Sequence, residues 1–366
     1  MKQEVKKVMI EDFMLKDQLL QIMIDNEGSD MYITVNTYPA IKIGGDILRV
    51  DDGIEKLTWK DTSDFAKSLI TEEQHERLIR EQNLDFSFSF AERRFRCNIS
   101  FQMNAYMIVL RLLTSHIPEI EELGLTQIYE DVTKLGQGLI LVTGPTGSGK
   151  STTLAAMVNF INENYNKHII TIEDPIEYVH HHKKSVVEQK EVGRDVPNYK
   201  VALRGAMRQN PQVILFGEMR DREEIEMALT LAETGHLVLS TLHTRSAYQT
   251  ISRIIDTFDG SEQNQVRLQL ADSLVAVFSQ RLLKLEDGTG VRLVKEVLVK
   301  NPAVANLIRE NDLPQLPSVM QMGSREGMQL LEKDIIECIN QGMISQEEGY
   351  KYANNPKFIK DNLAGV

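Results

Sequence analysis

Residues 144–152 read Gly144-Pro145-Thr146-Gly147-Ser148-Gly149-Lys150-Ser151-Thr152, and no other stretch restricts the fold of this chain as strongly. The run fits G-x-x-x-x-G-K-[ST], the phosphate-binding P-loop. Its glycines let successive backbone N–H groups turn inward around an anion, and the helix that follows presents its positive end to the same charge. Lys150 then reaches the β- and γ-phosphates of a nucleotide, and the Ser151 hydroxyl is placed to ligate magnesium. A chance match in a chain of this size has a probability on the order of one per cent. The flanks lower it further, because the apolar run GLILV precedes the loop and the helix-patterned TTLAAMVNFIN follows it. ATP and Mg2+ are therefore the expected ligands.

The same alternation repeats downstream. Apolar runs at 138–142, 168–172, 212–216 and 236–242 are separated by segments of helical periodicity. Strands apolar throughout, with helices between them, predict a parallel sheet covered on both faces. In such a sheet ligands bind beyond the carboxyl ends of the strands. Two acidic clusters fall at those ends: Glu173-Asp174-Pro175-Ile176-Glu177 after the second run, and Gly217-Glu218 after the third. An apolar strand ending in one acid is the Walker B pattern, so Glu218 is the expected metal-associated carboxylate beside Ser151. Glu173 or Glu177 remains to polarise the attacking water, and spacing alone does not choose between them. The fourth run begins at His236 and ends before His243, whose place suits either sensing a γ-phosphate or a core or cap histidine making one hydrogen bond, and spacing does not choose between them.

Residues 1–115 alternate short strand-like and helical patterns, predicting an α+β unit with an antiparallel sheet. Arg93, Arg94 and Arg96 cluster just before a strand, and Arg111 closes the next. Ser115-His116-Ile117-Pro118 reads as a linker, giving a first domain at 1–115 and a second at 116–366. Beyond about residue 262 the pattern is mostly helical, interrupted by the alternating VRLVKEVLV, and 328–353 reads as helix, Gly342 turn, helix. The run His180-His181-His182-Lys183-Lys184 reads as a solvated charged segment, since three successive histidines cannot all face one ion.

Composition removes several function classes. With 41 basic and 53 acidic residues the net charge is -12, which disfavours nucleic acid as a partner. Two cysteines, Cys97 and Cys338, rule out a disulfide framework and a four-cysteine zinc site. The opening MKQEVKKVMIEDF has no apolar core of a signal peptide, and no run approaches the roughly eighteen apolar residues of a membrane span. A cytoplasmic protein without direct membrane insertion is expected.

Four motifs stand in order: GPTGSGKST, TIEDPIE, VILFGEMRD and GHLVLSTLHT. Together they resemble the secretion-ATPase superfamily that powers type IV pili and type II secretion, and the resemblance covers nearly the whole chain. GSDMYITV and PAIKIGGDI resemble the opening of its PAS-like N-terminal domain, and RFRCNISFQMNAYMIVLR its arginine-bearing hairpin. The nearer resemblance is to the type IV pilus retraction ATPases, PilT and PilU. The extra N-terminal domain and four-cysteine module of assembly ATPases are not found, and Pro302–Glu310 is similar to the retraction branch's AIRNLIRE.

The resemblance implies a RecA-like P-loop ATPase core with an N-terminal PAS-like α+β domain. It implies Glu177 as general base, Glu218 as the Walker B glutamate, His236 with His243 as the His box, and Arg96 and Arg111 as arginines approaching the nucleotide. It further implies a homo-hexameric ring, peripheral to the inner membrane at the pilus base, working on an inner-membrane platform protein to drive pilus retraction and twitching motility. The departure at Ala303-Val304-Ala305-Asn306 and the tail KYANNPKFIKDNLAGV lean towards PilU, the accessory branch that depends on a PilT-like partner ATPase. An assembly or type II secretion ATPase is the remaining alternative.

Overall fold

A computed structural model describes residues 15–51, 53–114 and 116–363. The opening segment, Ser115 of the expected linker and the last three residues of the tail lie outside the described residues. Packing divides the chain into two compact units. Residues up to His116 together with Asp174–Val179 form one, and Ile117–Glu173 with the residues from His180 onward form the other.

The first unit contains strands β1 (Asp30–Ile33), β2 (Ala40–Ile43), β3 (Asp46–Arg49), β4 (Asn83–Phe90), β5 (Arg93–Gln102) and β6 (Ala105–Leu113), with helices α1 (Leu15–Asp25), α2 (Trp59–Leu69) and α3 (Glu72–Glu81). Among the described residues the sheet order is β3-β2-β1-β6-β5-β4, every neighbouring pair antiparallel. Alternation decides its faces. Phe95, Cys97 and Ile99 of β5 and Ile108 and Leu110 of β6 are buried in one core with α1, α2 and α3, while Arg96 and Arg111 take the opposite face. The β2–β3 turn holds Gly44 at φ 56° and Gly45 at φ 98°, a left-handed pair that favours glycine at both positions. The arginines expected just ahead of a strand instead lie within it, since Arg93 opens β5.

The second unit contains β7 (Gly138–Thr143), β8 (His168–Glu173), β9 (Val186–Glu191), β10 (Val213–Phe216), β11 (Leu237–Leu242), β12 (Leu274–Lys284) and β13 (Val291–Val299). Its helices are α4 (Ile128–Thr133), α5 (Lys150–Asn164), α6 (Tyr199–Ala206), α7 (Arg222–Glu233), α8 (Ala247–Asp256), α9 (Gln263–Ser273), α10 (Pro302–Arg309), α11 (Leu316–Met322), α12 (Leu331–Asn340), α13 (Gln346–Tyr352) and α14 (Pro356–Leu363). The sheet order is β13-β12-β7-β11-β10-β8-β9, parallel except for β13. The strands are apolar throughout because both faces are covered. Leu139, Leu141, Ile214 and Phe216 pack under α6–α11, whereas Ile140, Val142, Val213 and Leu215 pack under α4 and α5.

Beyond about residue 262 most elements are helices and VRLVKEVLV is the strand β13, but the sequence reading lacks one strand, β12. β12 is eleven residues long and extends the parallel sheet beside β7, and β13 returns antiparallel to it. LVAVFSQRLLK carries no alternation, because eight of its first eight residues are buried, and it follows α9 without an intervening turn residue. An apolar run of that kind cannot be told from a buried helix by periodicity. His180 also departs from the solvated reading: it is buried, its N–H donates to Gln189 Oε1 at 2.7 Å, and burial pushes its imidazole down to about 4. Histidines 181 and 182 are exposed as expected. No described helix is long and apolar enough to cross a membrane.

Candidate nucleotide site

The loop Gly144–Gly149 joins the carboxyl end of the buried β7 to the amino end of α5. α5 is anchored by Leu154, Met157, Val158 and Ile161, all buried, each contributing about 1.5–3 kcal/mol. The position of its first turn is thereby fixed. Gly149 caps it at φ 86° with no side chain to satisfy the first N–H groups, which leaves them directed at the loop's concavity. Gly144 sits at φ 146°, and a Cβ there would lie 2.3 Å from the Gln280 carbonyl and 2.5 Å from Ser148 Oγ. Only glycine lets the chain pass between β12 and the loop. Ser148 Oγ is itself buried without a hydrogen-bond partner. Lys150 Nζ donates to the Gly144 and Pro145 carbonyls at 2.9 and 3.1 Å, so the ammonium already lies across the loop.

At the neighbouring strand ends, Glu218 follows β10 and His243 follows β11. His243 Nε2 lies 3.3 Å from Glu218 Oε1, and Arg220 Nε donates to Glu218 Oε2 at 2.9 Å. Cross-links hold the two ends together: Ser240 Oγ donates to the Phe216 carbonyl at 2.9 Å, Thr241 Oγ1 to that of Gly217 at 2.6 Å, and the Met219 N–H to that of Thr241 at 3.0 Å. Parallel pairing of β10 and β11 with β7 through β11 sets the P-loop, Glu218 and His243 on one edge of one sheet.

His236 is not on that edge. Leu237 pairs with Gly138 and Leu242 with Thr143, so His236 lies at the amino end of β11, about 20 Å from the P-loop end at roughly 3.3 Å per residue. Its Nδ1 lies 3.1 Å from the Leu231 carbonyl and 3.3 Å from Thr234 Oγ1, closing the turn after α7. Within this chain His236 is therefore not brought together with His243, Glu218 and the P-loop. The direction of the fourth run already sets His236 and His243 at opposite ends, and only the resemblance groups them.

The two candidate bases have different surroundings. Glu173 ends β8, and its Oε1 accepts from Thr171 Oγ1 at 2.6 Å and Gln189 Nε2 at 3.2 Å, which holds it to β8 and β9. Glu177 lies in the segment that belongs to the first unit, 3.8 Å from Arg96 Nη1. Arg96 also makes a forked ion pair with Asp85, which holds its guanidinium above the usual arginine value. Directly across the sheet from Arg96 stands Arg111, whose Nε donates to Asp30 Oδ1 at 2.8 Å. Asp30, Arg111, Arg96 and Ser87 thus form one row over four strands, in which two adjacent cations are each matched by a carboxylate.

The donor set also fits magnesium. Ser151 and Glu218 offer hard oxygen ligands, and no group of three His, Cys, Asp or Glu among the described residues forms a cage of its own. Hard oxygen donors of this kind suit Mg2+ better than zinc, which favours nitrogen and sulfur.

Residues 10–351 match the family described as Type II/IV secretion system protein. The chain belongs to this family. It is 44% identical over 320 residues to the twitching motility protein of Neisseria gonorrhoeae, covering 87% of this chain and 84% of that one. It is 37% identical over 347 residues to the type IV pilus ATPase PilU of Pseudomonas aeruginosa, covering 94% and 90%. A crystal structure of the pilus retraction motor PilT with bound ADP superposes with a TM-score of 0.89 at 43% identity, covering 96% of this chain and all of that one. The fold is thus the expected one, a RecA-like P-loop core with an N-terminal domain. The identities do not follow the lean towards PilU.

Proposed function

We propose that this protein is an ATP-hydrolysing motor that drives type IV pilus retraction. One arrangement carries the reading: an uncapped P-loop helix beside Glu218 and His243, all on the carboxyl edge of one parallel sheet, in a chain whose near full-length relatives include a twitching motility protein and a pilus retraction motor. Binding of ATP falls to the loop's N–H groups and Lys150. Ser151 and Glu218 would hold Mg2+, which would supply charge neutralisation for the developing phosphate charge. Glu177, the second glutamate of the TIEDPIE motif, takes the proton of the attacking water, and Glu173 is held to β8 and β9 by Thr171 and Gln189. Arg96 and Arg111 balance charge at the phosphates.

The working form is a homo-hexameric ring in the cytoplasm, engaging an inner-membrane platform protein at the pilus base. Phosphate release by the purified protein with ATP and magnesium tests the chemistry. Deletion in a piliated host tests the direction: retained surface pili with lost twitching supports retraction, and loss of pili supports assembly instead.

A further inference from the structure

β12 was not legible as a strand, and it carries a residue in close contact with the P-loop that no motif includes. Gln280 is 1% exposed. Ser279 is the last β12 residue paired with β7, opposite Thr143, so Gln280 stands level with the loop itself. Its backbone carbonyl is the atom that excludes a Cβ at Gly144. Its side chain then spans the loop: Nε2 donates to the Ser148 carbonyl at 2.9 Å, and Oε1 accepts from Thr153 Oγ1 at 3.1 Å. The orientation of the amide is determined by chemistry, because a carbonyl only accepts and so must face Nε2. Both partners are buried with it, Ser148 at 2% and Thr153 at 1% exposure.

We propose that Gln280 is a positioning residue for nucleotide binding, a buried clamp that fixes the P-loop to the first turn of α5. It touches no phosphate. It acts by holding the Ser148 peptide, one residue before the capping glycine, at a set distance from Thr153 in the helix. The loop's N–H groups are then aligned before the anion arrives, and no binding energy goes into ordering them. The diphosphate is common to ATP and ADP, so the effect falls on the affinity for both and leaves the chemical step nearly unchanged.

The inference rests on the nucleotide-binding reading above, and the test separates the two. Fluorescent ATP and ADP analogues are titrated into the wild type, Gln280→Leu, Thr153→Val and Thr153→Ser, alongside KM, kcat and thermal unfolding. Gln280→Leu is expected to weaken both nucleotides about tenfold or more, raising KM with kcat within about threefold. Thr153→Val, which leaves Oε1 without its donor at unchanged volume, is expected to weaken both in the same sense, and Thr153→Ser to restore them. Thr153→Val keeps the inference testable if Gln280→Leu does not fold. Affinities within twofold of the wild type for both nucleotides, with only the unfolding temperature lowered, would overturn the clamp and leave a structural glutamine. A wild type that binds neither nucleotide would overturn the nucleotide reading itself, and the clamp with it.

Discussion

Gly144 and Glu296 show how much single positions carry in this molecule. Alanine at Gly144 meets the Gln280 backbone carbonyl, which cannot rotate away, at a φ of 146° that side chains avoid. Strain at such a position costs on the order of 1–3 kcal/mol. Gly144→Ala is expected to lower the urea midpoint without nucleotide and to weaken ATP binding with it. Glu296 on β13 is buried where its Oε1 accepts from the Ala247 N–H at 2.6 Å, beside Glu332, Arg281 and Asn354, and burial pushes its carboxyl up to about 7. Between about pH 4.5 and 7 the folded chain keeps a proton that the unfolded chain releases, so this group's contribution to stability falls as pH rises through that window.

Glu296→Gln, which keeps an acceptor for Ala247, is expected to remove that slope, about 2 kcal/mol between pH 5 and pH 7.5 by denaturant titration. His180 has the opposite sign. Neutral in the fold down to about 4, it withholds stability as pH falls below 6.5, so the wild-type curve is flatter than either group's own. At this scale the sequence marked the P-loop, Glu218 and His243, because their residue types and places carry their chemistry. It did not mark Gln280 or Thr153, whose role exists only once β12 lies beside β7.

Elements are held to the sheet by a few polar ties as well as by apolar contact. α12 is tied by Asp334, whose Oδ2 accepts from the Lys295 N–H at 2.8 Å and lies 3.6 Å from the Lys295 ammonium. Lys295 also donates to the Gly124 carbonyl at 3.1 Å, and both charged side chains are buried. Removing one partner strands the other charge, so Asp334→Ala is expected to cost about 3–5 kcal/mol in urea unfolding. The pair Lys295→Met with Asp334→Leu is expected to recover most of that loss, which would assign the cost to the stranded charge. Helices and strands with a strict period were legible in advance: α7 buries Ile225, Ala228, Leu229 and Ala232 as its spacing requires. β12 was not, since α9 ends at Ser273 and the strand starts at Leu274, with no glycine or proline between them.

On the scale of the whole chain, packing does not follow sequence order. Asp174–Val179 leaves the end of β8 yet belongs with the N-terminal unit, so the carboxylate assigned as base and the loop assigned to bind ATP belong to different units. No reading of contiguous domains yields that, because a six-residue excursion leaves no signature in periodicity. Hydrolysis of ATP underlies every role proposed above, and phosphate release by the purified full chain with ATP and magnesium tests it most directly. Turnover in the wild type that is lost in both Lys150→Ala and Glu177→Gln, with ATP binding retained by Glu177→Gln, is the expected result. ATP binding without turnover in the wild type would contradict the motor reading, and turnover that survives Glu177→Gln would contradict the assignment of the base.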